Sequence, residues 1–450
     1  MKRAYQAASS EEVRVDMYAS SAWRRALGAV SMLWIATALG AALAFVAQAL
    51  LAREMGPSEY GLFASSLATV TMLSPLAGFG LPQYWLQVYG VEGWGANRWL
   101  RPSLRFIASS TLVTMAMIVA WAFVGAPHDA RPMLLLLLPV VFGLQAGNLV
   151  SSQLRMEERH RDLALWQLTT PGSRALVAML LLAIPSLSGR FVAAGFSVIS
   201  IGVALMALPR LQAMMRGGIL LHGHGPRPAG TMTQPSPSVA RLLSQAWAYG
   251  LEASLYPIFF SISTVLLKYL NGNAQAGMFG IALGVMTAIY LIPATLYQKF
   301  LLSKLHRWAA HDEQKFWTVY RYGNIAMLAS GIMVGLVLAG VAPWLVPILF
   351  GEKYRPVVKL LAVLALCVPL RFLTTGIASA LLNERHMRYR VFAMGTSALM
   401  VVLLNVRLIP MYHEMGAVIA TVIGEATMLL ALYAGVRYFH ANGDGFRASS

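Results

Sequence analysis

Residues 50–67 read LLAREMGPSEYGLFASSL, and residues 266–283 read LLKYLNGNAQAGMFGIAL. Laid in register, Leu50, Leu51, Gly56, Gly61, Phe63 and Leu67 fall on Leu266, Leu267, Gly272, Gly277, Phe279 and Leu283, all at an offset of 216. Each stretch is an apolar run, a glycine turn and a second apolar run. A further echo lies downstream, where Glu158-Arg159-His160 returns as Glu384-Arg385-His386 at an offset of 226. The two echoes keep the same order in each half of the chain. The sequence therefore reads as a duplication.

The apolar runs around these turns dominate the chain. Of 450 residues, 58% are hydrophobic and 12% are charged, against about 25% charged in a typical soluble domain. One core cannot hide that much apolar surface. The mean hydropathy of +0.61 agrees. A soluble enzyme, a disordered chain and a secreted disulfide scaffold are excluded. Cys367 is the lone cysteine, so no intrachain disulfide forms.

A hydrocarbon core of about 30 Å takes about 20 apolar residues per helix. That ruler predicts an all-α integral membrane protein with twelve transmembrane helices. The spans are expected near 27–51, 60–84, 106–125, 132–152, 163–184, 191–209, 247–267, 278–298, 324–348, 358–382, 391–409 and 416–436. The first is too long for a cleaved signal peptide and follows a polar tail ending in Trp23-Arg24-Arg25.

The stretch 210–246 has linker composition, with five glycines and four prolines between 217 and 237. It divides the chain into two pseudo-symmetric six-helix bundles, 27–209 and 247–437, flanked by tails 1–26 and 438–450. Six spans is an even number, so the halves point the same way, around an axis along the membrane normal and a central cavity. That is the plan of an alternating-access transporter. His222-Gly223-His224 in the linker lacks a third ligand, so no metal is expected.

Lysine and arginine set the orientation. With the N-terminus in the cytoplasm, 25 of them fall on inner segments, eight on outer segments, and Arg174 and Arg371 within spans. Positive-inside bias places both termini and the linker in the cytoplasm. The net charge of +17 then needs no nucleic-acid partner. The outer loops are short. No Walker A sequence, zincin sequence or nucleophile elbow is present, and transport is the class that remains.

The hairpin Ala52-Arg53-Glu54-Met55-Gly56-Pro57-Ser58-Glu59-Tyr60-Gly61-Leu62-Phe63 resembles the bacterial polysaccharide-biosynthesis flippases, the Wzx-type family of the multidrug/oligosaccharidyl-lipid/polysaccharide exporter superfamily. Leu349 to Tyr354, Ala380 to Arg385, Asn405 to Pro410 and Met415-Gly416-Ala417 agree, so the resemblance covers roughly 25–437. One position departs from the family pattern: Phe279 stands where a tyrosine is usual. The resemblance implies a flippase in the bacterial cytoplasmic (inner) membrane. It would carry an undecaprenyl-diphosphate-linked oligosaccharide between leaflets for O-antigen, capsule or exopolysaccharide assembly. No cofactor is implied. The implied partners are that lipid-linked glycan, the bilayer, and the polymerase and chain-length regulator of the same pathway. Two other branches share the fold. Cation-coupled multidrug exporters often take cationic cargo, and lipid II flippases normally carry two further spans.

The implied cargo has a diphosphate and sugars that need a wet, partly cationic cavity. Charges within spans are rare and costly, about 2.5–3.5 kcal/mol each at mid-helix, so they are the first candidates. Arg174 follows Pro171-Gly172, a pair expected to break span five, and Arg371 follows Pro369 in span ten. A guanidinium forks onto phosphate oxygens or locks helices by pairing with a carboxylate. The carboxylates are Glu252, read either as a coupling site or as counter-ion to Arg174, and Glu425, read as the partner of Arg371. Gln48, Gln145, Asn148 and Asn405 are amides of the kind that join helices, with Gln48 the best placed for sugar. Arg53 and Lys268 stand at outer span ends, where they meet diphosphate or snorkel to the interface. Gly280-x-x-x-Gly284 and Gly331-x-x-x-Gly335 predict close helix crossings. Trp23, Trp99, Trp308 and Trp344 are expected in an interfacial belt.

Overall fold

A computed structural model describes residues 2–184, 188–221, 224–225, 228, 235–296, 313–381 and 384–441. Among these residues there is helix and no strand. In chain order the α-helices are α1 (Lys2–Leu73), α2 (Pro75–Gly78), α3 (Leu81–Glu92), α4 (Leu100–Val124), α5 (Ala130–Leu137), α6 (Val140–Met156) and α7 (His160–Ala183). There follow α8 (Gly189–Met215), α9 (Val239–Asn271), α10 (Asn273–Leu296), α11 (Glu313–Phe350), α12 (Val357–Leu364), α13 (Cys367–Ala378) and α14 (Glu384–Ala441).

Eight stretches among the described residues are long and apolar enough to cross a membrane. The first, Ser31–Val124, holds 94 residues, which would extend roughly 140 Å as one straight helix. It does not run straight. Gly56 leaves helical geometry at φ 75, ψ 171. Ala44 and Thr71, on either side of it, line one small cavity, so the chain folds back at Gly56. Farther on, Phe79 and Gly80 take positive φ, and Gly93 does so again before α4. Proline at 57 cannot donate a hydrogen bond and glycine at 56 tolerates positive φ, which is why the reversal falls there.

The last long helix reverses too. His413 adopts φ 54, ψ −134 inside α14. A β-carbon added to Gly416 would lie 2.3 Å from the Leu408 carbonyl oxygen, whereas eight residues of straight helix would separate them by about 12 Å. Against the twelve spans read from sequence, Ser31–Val124 holds the first three and His386–Phe439 the last two, and α7, which holds the fifth, is not among the eight.

The outward faces are apolar, as lipid requires. Leu336, Val337 and Trp344 are all more than half exposed. Trp99 departs from the expected belt, being buried and donating to Glu92 at 3.2 Å. The side chain of Trp23, and the whole of Trp308, lie outside the described residues, as do His222, most of the linker between 222 and 234, residues 297–312 and residues beyond 441.

Both expected glycine pairs mark close crossings. Gly331 packs on Pro369 and Phe372, and Gly335 on Ala365, joining α11 to α13. Gly280 and Gly284 pack on Ala64 and Gln48, joining α10 to α1.

The α1–α10 contact is where the duplication becomes physical. Gly272 has φ 103, ψ 178, the same extended left-side geometry as its equivalent Gly56. Gly61 and its equivalent Gly277 face each other. A β-carbon on Gly61 would sit 1.8 Å from the Asn273 carbonyl oxygen, and one on Gly277 would sit 2.2 Å from the Pro57 carbonyl oxygen. Positions 57 and 273 are also equivalent by the offset of 216. The contact is thus reciprocal between equivalent positions. No residue with a side chain fits at either place without moving backbone.

Candidate functional site

A cavity of about 300 Å³ lies beside this contact. Five equivalent pairs contribute to its wall: Gln48 and Thr264, Ala64 and Gly280, Leu67 and Leu283, Ala68 and Gly284, Thr71 and Thr287. Small residues on α1 and α10 leave the space.

Arg174 breaks the symmetry of the wall. It projects from α7 into the cavity, its guanidinium carbon 4.6 Å from the Phe196 ring centroid. That spacing is a cation–π contact. Its Nε has no hydrogen-bond partner, and among the described residues no carboxylate forms an ion pair with it. The expected break before it does not occur, since α7 runs unbroken with Pro171 inside. Pro171 instead packs against Gly40 of α1, so the neighbouring helix covers the ring. Gln48 lines the same cavity and donates from Nε2 to the Gly280 carbonyl at 3.1 Å. It joins the halves while presenting its amide to the space.

Arg371 sits elsewhere and in a closed setting. Its guanidinium lies 3.7 Å from Glu425 and donates to the Tyr256 hydroxyl at 3.1 Å. The rings of Phe260 and Tyr290 flank it at 4.7 and 5.3 Å. Glu425 is fully buried. Four helices, α9, α10, α13 and α14, meet at this one charge pair.

Glu252 requires a correction. Its partner is Arg390, at 2.9 Å on α14, and not Arg174. The sequence places Glu252 and Arg174 in spans with no fixed neighbourhood, whereas Arg390 comes from the start of α14, which packs along α9. Glu252 lines a second cavity of about 340 Å³ with Gln145, Asn148 and Tyr256. Gln145 itself donates to the Ser74 carbonyl at 2.6 Å, and Asn405 donates to Ser263 at 2.9 Å, both as helix-joining amides.

Arg53 and Lys268 lie at the end of the molecule that holds the two reversal glycines. Arg53 donates to the Ile348 carbonyl at 3.2 Å. Lys268 is 6% exposed and its Nζ has no hydrogen-bond partner. It lines neither the Arg174 cavity nor the Glu252 cavity.

At the opposite end the halves touch again. Phe79 packs on Gly250, and Gly80 on the backbone of Tyr249. Tyr84 donates to Gln245 Oε1 at 2.7 Å, and Tyr249 donates to Gln87 Oε1 at 2.8 Å. A third cavity, about 410 Å³, opens beside these residues. Contacts between α1 and α10 thus lie at one end of the molecule and contacts between α3 and α9 at the other. Sequence reading did not single out these four side chains. Their signal was a tyrosine and a glutamine three or four residues apart at the ends of two spans, which is weak without knowing that the spans meet. The linker touches this end as well, with Trp94 donating to the Gly225 carbonyl at 3.2 Å. Among the described residues no three metal-binding side chains cluster.

The fold has known counterparts. A lipid II flippase MurJ in an inward closed conformation matches with a TM-score of 0.63 at 15% identity, covering 90% of this chain and 87% of that one. An inward-facing multidrug-resistance MATE transporter of the MOP superfamily matches with a TM-score of 0.61 at 16% identity, covering 89% and 96%. The eukaryotic MATE transporter AtDTX14 gives 0.56 at 13% identity, covering 91% and 96%. At such identities the likeness is one of fold. No curated protein matches the chain. The sequence profile of one family does match, over residues 27–299, a stretch that contains the hairpin at Gly56, its repeat at Gly272 and the Arg174 cavity between them. The chain is a multi-pass membrane protein, and it belongs to the polysaccharide biosynthesis protein family.

Proposed function

We propose that this protein flips an undecaprenyl-diphosphate-linked oligosaccharide from the inner to the outer leaflet of the bacterial cytoplasmic membrane by alternating access. The observation that carries the reading is Arg174, a guanidinium without a carboxylate partner, facing a cavity lined by both halves. A permanent cation buried in a membrane protein is costly unless something pairs with it. A diphosphate is a dianion whose oxygens match the guanidinium fork. Cationic drugs would be repelled by the same group, which argues against the multidrug reading of this fold.

The roles of the other charges follow from their surroundings. Arg371 and Glu425 lock helices, because the guanidinium already has a carboxylate, a hydroxyl and aromatic rings around it. Glu252 and Arg390 form a partly buried pair, so Glu252 is a helix-joining partner of α14. Gln48 is the polar group nearest in kind to a sugar contact within the central cavity. Arg53 and Lys268 hold the outer end and do not meet cargo in this closed state.

The reading takes the chain to cross the bilayer twelve times, in bundles 27–209 and 247–437. The reversals at Gly56 and His413 support that count. Reporter fusions should place the 210–246 linker in the cytoplasm and residues 52–59 and 349–357 outside. An external signal from the linker overturns the orientation.

The function itself is tested by removing the gene. Undecaprenyl-diphosphate-linked oligosaccharide should accumulate on the inner leaflet, surface glycan should vanish, and the purified protein in proteoliposomes should move that extracted lipid across the bilayer. A deletion strain with unchanged surface glycan and no accumulated lipid defeats the proposal.

A further inference from the structure

We infer that Lys268 is a second diphosphate site, covered in this closed state and uncovered when the outer contact between the halves parts, so that the cargo passes from Arg174 to Lys268 on its way out. This rests on the flippase reading above and names the residue that receives the anion on the outer side.

The face of α9 that lines the central cavity leads to it. Ser261 and Thr264 both line that cavity. Lys268 follows Thr264 by four residues, one helical turn along the same face and about 6 Å nearer the outer end. It is 6% exposed, and its Nζ has no hydrogen-bond partner. Asp129, the carboxylate whose charge acts on it, accepts instead from Asn273 at 2.9 Å. A buried ammonium without a counter-ion is unfavourable. A lysine that only snorkelled would carry its charge to the surface, and this one is held inside.

What covers Lys268 belongs to the seam between the halves. The chain turns at Gly272, and Thr264 and Gly280, each eight residues from it, meet across the hairpin. Lys268 and Ala276, each four residues from it, therefore stand level. Gly277, beside Ala276, is the residue that packs on Pro57 and Gly61. Tyr269, next to the lysine, accepts from Trp121 Nε1 at 2.8 Å, and Asn273 reaches Asp129. Trp121 and Asp129 both come from the first half. None of these three contacts is an ion pair, so parting them separates no ion pair, and Lys268 is left as a cation facing the opened space. A diphosphate leaving Arg174 gives up a charge-assisted contact, and an ammonium one turn beyond the cavity offsets that loss. It has no planar fork, so the outer hold is the weaker of the two and favours release.

Lys268→Met keeps the length of the side chain and removes its charge. In proteoliposomes it should move undecaprenyl-diphosphate-linked oligosaccharide about tenfold more slowly than wild type, the value of one charge-assisted hydrogen bond. Its unfolding temperature should stay level or rise, because a buried unpaired charge has gone. Lys268→Cys combined with Cys367→Ala carries a single thiol. Aminoethyl methanethiosulfonate gives that thiol an ammonium end and should restore transport, whereas the uncharged hydroxyethyl reagent should not. An impermeant trimethylammonioethyl reagent should label the thiol faster when the lipid is supplied, as the seam opens in turnover. Near-wild-type transport by Lys268→Met overturns the inference and leaves the flippase reading standing. So does a loss of transport matched by a fall in unfolding temperature, equal rescue by both reagents, or labelling that ignores the lipid. Wild-type protein that moves no lipid ends both readings.

Discussion

Arg174→Ala should lose nearly all flipping, while Arg174→Lys keeps part of it, with both proteins present in the membrane at normal level. The guanidinium has no carboxylate to abandon when it is removed, so stability is expected to change little. Transport is another matter. A charge-assisted hydrogen bond is worth about 1.5–3 kcal/mol, which is roughly tenfold to over a hundredfold in rate. Lysine restores the charge without the planar fork, since an ammonium is a point charge. Surface glycan in a deletion strain, read against the amount of each variant, checks this. Near-native glycan from Arg174→Ala at normal protein level sinks the proposed role.

Arg371→Ala should do the reverse, removing protein and not merely activity. Glu425 is fully buried and lies 3.7 Å from Arg371. Deleting one member of such a pair leaves an uncompensated charge, at about 3–5 kcal/mol. Phe260 and Tyr290 lose their cation at the same time. Arg371→Met/Glu425→Gln, which leaves no charge behind, should recover much of the loss. Membrane protein level and thermal unfolding of the purified protein measure it. If the double variant is as unstable as the sum of the singles, the two residues are not coupled.

These contrasting outcomes for two intramembrane arginines were only half legible in the sequence. Both stood out as costly cations beside prolines. Arg371 also had an obvious carboxylate in Glu425, and the structure sets the two together. Arg174 had Glu252 by default. The structure gives Glu252 to Arg390 instead, because partners across helices depend on which faces meet, and a single sequence holds no record of that. The hairpin glycines were different. Gly56, Gly61, Gly272 and Gly277 announce turns and close approach by residue type alone, and their equal spacing announces the repeat. The Tyr84–Gln245 and Tyr249–Gln87 bonds were invisible for the same reason as the Glu252 pair. Neutral side chains at span ends carry no penalty that would single them out.

The Gly61–Gly277 contact has a consequence for how this chain can change. In a symmetric dimer of separate chains, a residue beside the axis meets its own copy, and every substitution strikes twice. Here the two sides are encoded apart. The glycines stay matched, Gly61 facing Gly277, while the lining matches only in part: Leu67 and Leu283 agree, as do Thr71 and Thr287, but Gln48 has Thr264 as its counterpart. The offset of 226 carries Arg174 to Met400, so the cavity holds a cation on one flank only. Under the proposed reading, one diphosphate needs one clamp in the cavity. A repeat encoded within one chain can carry a group on one side alone, where a dimer of identical chains would carry it on both.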